Sequence, residues 1–137
     1  MKKYWCVAFL FSSFLGMIFS QSSDKVTGIV FHDINGNRAL EENEPGIADV
    51  AVSNGVDVVL TDATGHYELP ISEDAIVFVI KPRDWMTPLN EHHLPVFHYI
   101  HKPGGSPKHF KYQGVSPTGP LPTMVNFPLH PEESTHQ

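Results

Sequence analysis

The chain has 137 residues, with 9 basic and 15 acidic side chains, a formal net charge of −6, and hydrophobic residues at 41% of positions. That length bounds it to one domain, and the acidic balance excludes a nucleic-acid partner, because neutralising phosphates needs a basic face. A single cysteine, Cys6, excludes a disulfide framework.

Residues 1–20 have the layout of a secretory signal peptide. Lys2 and Lys3 precede an apolar run over 4–19, broken by Ser12, Ser13 and Gly16, and the chain turns polar at Ser20 and Gln21. The run is shorter than the roughly 20 residues a membrane-spanning helix needs, and no basic flank follows it. Cleavage after Ser20 takes 20 of 137 residues and leaves 117, carrying 7 basic and 15 acidic side chains and no cysteine. The expected product is exported, periplasmic or extracellular, with no membrane attachment once the signal is removed.

Residues 21–130 are expected to form an all-β sandwich of immunoglobulin or transthyretin type, and 131–137 a polar tail. The first strand is predicted over 26–31. A hairpin is predicted from 50–53 and 56–61, joined near Asn54-Gly55, a dipeptide favoured in tight turns. A turn over 62–65 leads into a strand at 66–69, and the apolar run 75–80 reads as a strand buried on both faces. The predicted core is Val30, Val50, Val52, Val58, Leu60, Tyr67, Leu69, Val77, Val79 and Phe127. No window after residue 21 holds a long 3.6-residue apolar period, so helix is not expected.

Between the first strand and the hairpin, oxygen-bearing residues fall at calcium-loop spacing. Counted from Asp33, Asn35 stands third, Asn37 fifth, the Ala39 carbonyl seventh, Glu41 ninth and Glu44 twelfth, where a two-oxygen carboxylate would close a Ca²⁺ cage. The sixth position, which turns sharply and calls for glycine, is Arg38, so the expected Ca²⁺ affinity is weak. The competing reading is a network of Asx turns closed by Pro45-Gly46 before the next strand.

From Pro82 to Pro122 there are eight prolines and five histidines, with Trp85, Phe97, Tyr99, Phe110 and Tyr112 among them. Proline at this density excludes a central strand, while the aromatics argue for order. The segment reads as a long excursion packed on the sandwich, with 96–101 a short edge strand, before a last strand at 125–129.

The ordered set Gly28 to Asp33, Glu44-Pro45-Gly46-Ile47, Val50 to Gly55, Thr61-Asp62 with Gly65 and Tyr67, Ile80-Lys81-Pro82, Phe97 to Lys102, Ser116-Pro117-Thr118-Gly119, Leu121-Pro122 and Asn126-Phe127-Pro128-Leu129 resembles the N-terminal domain of secreted bacterial calcineurin-like metallophosphoesterases. Its first half also resembles SdrD B-like and carboxypeptidase-regulatory-like sandwich modules. The resemblance implies a non-catalytic accessory module whose partner is a calcineurin-like phosphoesterase catalytic domain. A two-metal phosphoesterase site needs several His, Asp and Asn ligands in Asp-x-His, Gly-Asp and Gly-Asn-His motifs, and none stands downstream of Phe127.

Two other readings compete. Trp85, Tyr99 and Tyr112 could stack on a carbohydrate or a protein, making the chain a free-standing binding module. With the tyrosines, His92, His93, His98, His101 and His109 resemble the two-His, two-Tyr iron site of intradiol dioxygenases. His98 and His101 are three apart, however, and point to opposite faces of an extended strand, so no transition metal is expected.

Overall fold

A computed structural model describes residues 24–109 and 111–133. The expectations for the signal segment, Cys6, Phe110 and residues 134–137 lie outside them. The described residues form eight strands and no helix: β1 (Lys25–His32), β2 (Ala51–Ser53), β3 (Val58–Leu60), β4 (His66–Pro70), β5 (Ala75–Ile80), β6 (Trp85–Met86), β7 (His98–His101) and β8 (Phe127–Pro131). They make two four-stranded sheets, in the orders β4-β1-β8-β6 and β3-β2-β5-β7, so the all-β sandwich read from the pattern is the fold.

β1 is the spine of the first sheet. Its Val26, Gly28 and Val30 alternate inward, as a half-buried strand requires. β4 pairs it antiparallel from Lys25↔Pro70 to Ile29↔His66. On the other side β8 pairs it in parallel, from Val30↔Phe127 to His32↔Leu129. Before that ladder starts, the Asn126 side chain takes the place of a backbone partner by accepting from the Ile29 N–H at 2.9 Å. Pro128 sits inside β8 without an N–H to give. It is tolerated because β6 reaches β8 only at Trp85↔Pro131 and Met86↔His130.

The core lies between the sheets and is formed by Val26, Val30, Val50, Val52, Tyr67, Leu69, Ile71, Val77, Val79, Val125, Phe127 and Leu129. At its centre the Tyr67 ring stacks near Phe127, with centroids 6.1 Å apart, and the Tyr67 hydroxyl donates to the Val125 carbonyl at 2.6 Å. Burial pushes the Tyr67 phenol well above its ordinary pKa.

Three expectations are corrected. Val58 and Leu60 are exposed rather than in the core, because in β3 it is Val59 that turns inward. β5 is not buried on both faces: Val77 and Val79 point in, while Ile76 and Ile80 point out and stay half exposed. The hairpin connection is four residues, 54–57, since Ser53 faces Val58. Asn54 organises it, with its Oδ1 accepting from the Val56 and Asp57 amides at 2.9 and 2.7 Å.

The excursion after Pro82 supplies an edge strand to each sheet, β6 to the first and β7 to the second. β7 falls within the predicted edge strand 96–101, whereas β6 had no recognisable pattern at two residues long.

Candidate functional site

The loop after β1 gathers the residues proposed as calcium ligands, but it bonds their side chains to its own amides and to one another. Asp33 is buried, and its two oxygens accept from the Gly36 amide at 2.8 Å and the Arg38 amide at 2.9 Å. Glu44, also buried, reaches back to the Ile34 and Glu41 amides at 3.0 and 3.1 Å. The Asn35 and Asn37 side-chain amides donate to the two oxygens of Glu41 at 2.9 and 2.8 Å, and the Asn37 Oδ1 accepts from the Ala39 amide at 2.7 Å. These bonds satisfy backbone donors that a polar loop would otherwise leave unpaired near the sandwich end. Among the described residues, no three His, Cys, Asp or Glu side chains are grouped to hold a metal ion.

Arg38 takes the left-handed conformation, φ +64°, that the sixth loop position demands. Its guanidinium turns out of the loop and donates to the Leu89 carbonyl at 3.1 Å, tying the loop to the excursion. A non-glycine residue in this conformation costs about 1–2 kcal/mol. Replacing Arg38 with Gly is therefore expected to stabilise the protein by up to about 1 kcal/mol, after subtracting one exposed hydrogen bond. A higher urea midpoint at unchanged slope would register the gain, and a lower one would mean the Leu89 tie outweighs the strain.

The histidines do not converge. His98 is exposed and His101 buried at opposite ends of β7. His92 and His93 lie exposed in a turn held by Asn90, whose Oδ1 accepts from the His92 and Leu94 amides at 2.9 and 3.0 Å. Trp85 and Tyr99, read as exposed stacking platforms, are half buried and packed against the core. Trp85 meets the His32 ring edge-on at 5.2 Å. Tyr112 alone of the three is exposed, beside Lys111.

Beside the loop, an open groove of about 600 Å³ is lined by His32, Asp33, Ile34, Met86, His130 and Glu132. Of its carboxylates, Asp33 serves structure, because both its oxygens accept from the Gly36 and Arg38 amides.

In the Asp62 turn and the β4 strand after it, electrostatics serve structure too. The Asp62 carboxyl is held below its usual range by the Thr64 hydroxyl, then by the Thr64 and His66 amides. That of Glu68 is lowered by its hydrogen bond and ion pair with Lys25.

What remains is a surface. The register of the second sheet places Leu60 beside Ala51 and Ile80, Val58 beside Ser53 and Phe78, and Ile76 beside Ile100, all on the side away from the core. Sequence reading missed it by assigning Val58 and Leu60 inward. The available signal was three consecutive apolar residues, 58–60, and six in 75–80, which put apolar side chains on both faces of neighbouring strands.

No curated protein matches the chain. The family described as "N terminal of Calcineurin-like phosphoesterase" matches residues 32–115, from the end of β1 through the second sheet and into the excursion. That span takes in more than half of the sequence, including the loop, both hairpin strands, the Asp62 turn and β7. The chain therefore belongs to the family of N-terminal domains of calcineurin-like phosphoesterases.

Proposed function

We propose that this chain is a non-catalytic accessory module that docks a calcineurin-like phosphoesterase catalytic domain and contributes no phosphoester chemistry of its own. The observation that carries this reading is a sandwich with an apolar outer sheet face, in a chain whose family is the N-terminal domain of such enzymes. The separation of the His92-His93 turn from His98 and His101 and the self-bonded carboxylates of the loop also support it, since two-metal hydrolysis needs several ligands converging on each ion and no such group occurs among the described residues. The purified full chain, assayed with millimolar Mn²⁺ or Zn²⁺ against a phosphate monoester and a diester, is expected to give no turnover above the metal blank. Sustained turnover lost on chelation would overturn the proposal. Export through residues 1–20 belongs to the same reading, supported by Lys2, Lys3 and the apolar run behind them.

Weak calcium binding by loop 33–44 is a second proposal. It is supported by the left-handed turn at Arg38 and by a guanidinium directed away from Asp33, Glu41 and Glu44 rather than neutralising them. Because those carboxylates already accept amide hydrogens, the affinity belongs in the range of about 10⁻⁴–10⁻³ M. Several millimolar Ca²⁺ should raise the melting temperature, and Asp33→Ala should abolish the rise. A wild-type midpoint indifferent to Ca²⁺ and chelator alike would leave the loop a hydrogen-bonded connector.

A further inference from the structure

We infer that the outer face of the β3-β2-β5-β7 sheet is the surface on which the phosphoesterase domain sits. This rests on the accessory-module reading above and deepens it by naming the interface. Sheet geometry makes the face continuous, because residues two apart on each strand share a side and neighbouring strands stand in register. Leu60 is 62% exposed, Val58 60%, Ile76 50% and Ile80 46%; Phe78, partly buried, lies between Ile76 and Ile80 on β5, and Ile100, also partly buried, lies beside Ile76 on the edge strand β7.

Antiparallel sheets that face water on one side normally alternate apolar and polar residues. Here β5 is apolar at all six positions, and β3 at all three. An apolar face of this kind, interrupted only by Ser53 on β2 and His98 on β7, marks an interaction site. Branched and aromatic side chains on a preformed sheet lose little freedom when covered, which suits a permanent intramolecular or subunit contact.

The occupant follows from the path of the chain. Beyond β8 the Glu132 amide donates to the Asp84 carbonyl at 2.8 Å, and the Glu132 carboxylate lies 3.9 Å from the Lys81 ammonium. Lys81 directly follows Ile80, the end of the Leu60-Ala51-Ile80 row. The last described residues, though they leave from the first sheet, therefore lie at the same end of the sandwich as Ile80 and the Leu60-Ala51-Ile80 row. A catalytic domain joined there reaches the face over a short tether, which gives it a high effective concentration against any free competitor.

The test uses the full chain and, as probe, the separately expressed catalytic domain of a calcineurin-like phosphoesterase that carries an N-terminal domain of this family. Titration calorimetry should detect binding. Leu60→Lys and Ile80→Lys should each weaken it at least about tenfold, by placing an ammonium in an apolar contact. Leu94→Lys, an exposed position in the 90–94 turn outside the face, should not. Melting temperatures control for folding, and a Leu60→Thr/Ile80→Thr pair, which keeps strand propensity, repeats the test without a buried charge. Binding by the wild type that all face variants retain would overturn the interface while leaving the accessory reading intact. Failure of the wild type to bind would overturn both. Self-association in sedimentation that Ile80→Lys abolishes would overturn the assignment by making a second copy the occupant.

Discussion

Replacing Tyr67 with Ala is expected to lower the unfolding free energy by about 3–5 kcal/mol, the range for deleting a large aromatic from a packed core. The ring is 2% exposed, so its removal leaves a cavity between the sheets beside Phe127 that neighbouring valines are too short to refill. The hydroxyl adds a second contribution. Tyr67→Phe keeps the ring but leaves the buried Val125 carbonyl without its 2.6 Å donor, at a cost of about 1–1.5 kcal/mol.

The same phenol sets a pH signature. Burial raises its folded pKa above the unfolded value near 10, so its contribution is intact below about pH 10 and is lost as pH rises beyond it. The Phe variant should lack that part of the alkaline fall. Urea melts of both variants at neutral and alkaline pH check these expectations. A loss below about 1 kcal/mol for the Ala variant would contradict the placement of Tyr67.

Gly46→Ala should be comparably damaging for an unrelated reason. The 45–47 segment crosses the end of β1, where Ile47 donates to the Val30 carbonyl at 2.8 Å and His32 to the Pro45 carbonyl at 2.9 Å. On its other side lies the turn after Asp62. A Cβ built on Gly46 would stand 1.7 Å from the Thr64 carbonyl oxygen, and that neighbour is backbone, which cannot rotate away. One of three packed chain segments must move, so the expected destabilisation is at least about 3 kcal/mol, the upper end for overpacking. Gly36→Ala is the control: its φ is +75°, but nothing lies within 4 Å of the added carbon. It should cost only about 1 kcal/mol. Similar losses for the two variants in urea would mean that crowding at Gly46 is not the cause.

Much of this fold was legible because its strands carry clear local signals. β-branched runs marked β1 and β5, the alternation of Tyr67 and Leu69 marked β4, and the Asp62 turn was readable because aspartate side chains bond their own downstream amides: the Asp62 Oδ1 accepts from Thr64 at 2.8 Å and His66 at 3.0 Å. The spacing of loop 33–44 singled out side chains that hydrogen-bond within the loop. It could not tell a cage from a turn network, since the oxygens that bind Ca²⁺ also accept amide hydrogens.

The inward side of β3 was illegible because Val58, Val59 and Leu60 are all apolar, and a one-residue shift of register reverses every side chain. That ambiguity is informative in itself. A strand apolar on both faces is unexpected at the surface of a lone two-layer sandwich, so the misassigned residues are the ones on which the docking proposal rests. β6 was invisible for a different reason, since two residues held to the end of β8 depend on tertiary pairing alone.

Amide hydrogen exchange on the full chain, with and without a separately supplied catalytic domain of this phosphoesterase class, tests the docking account most directly. Peptides covering β3 and β5 should exchange more slowly in the mixture, with those covering loop 33–44 and the 90–94 turn unchanged. Protection confined to the loop or to the first sheet, with β3 and β5 unaffected in a mixture that does form a complex, would contradict it.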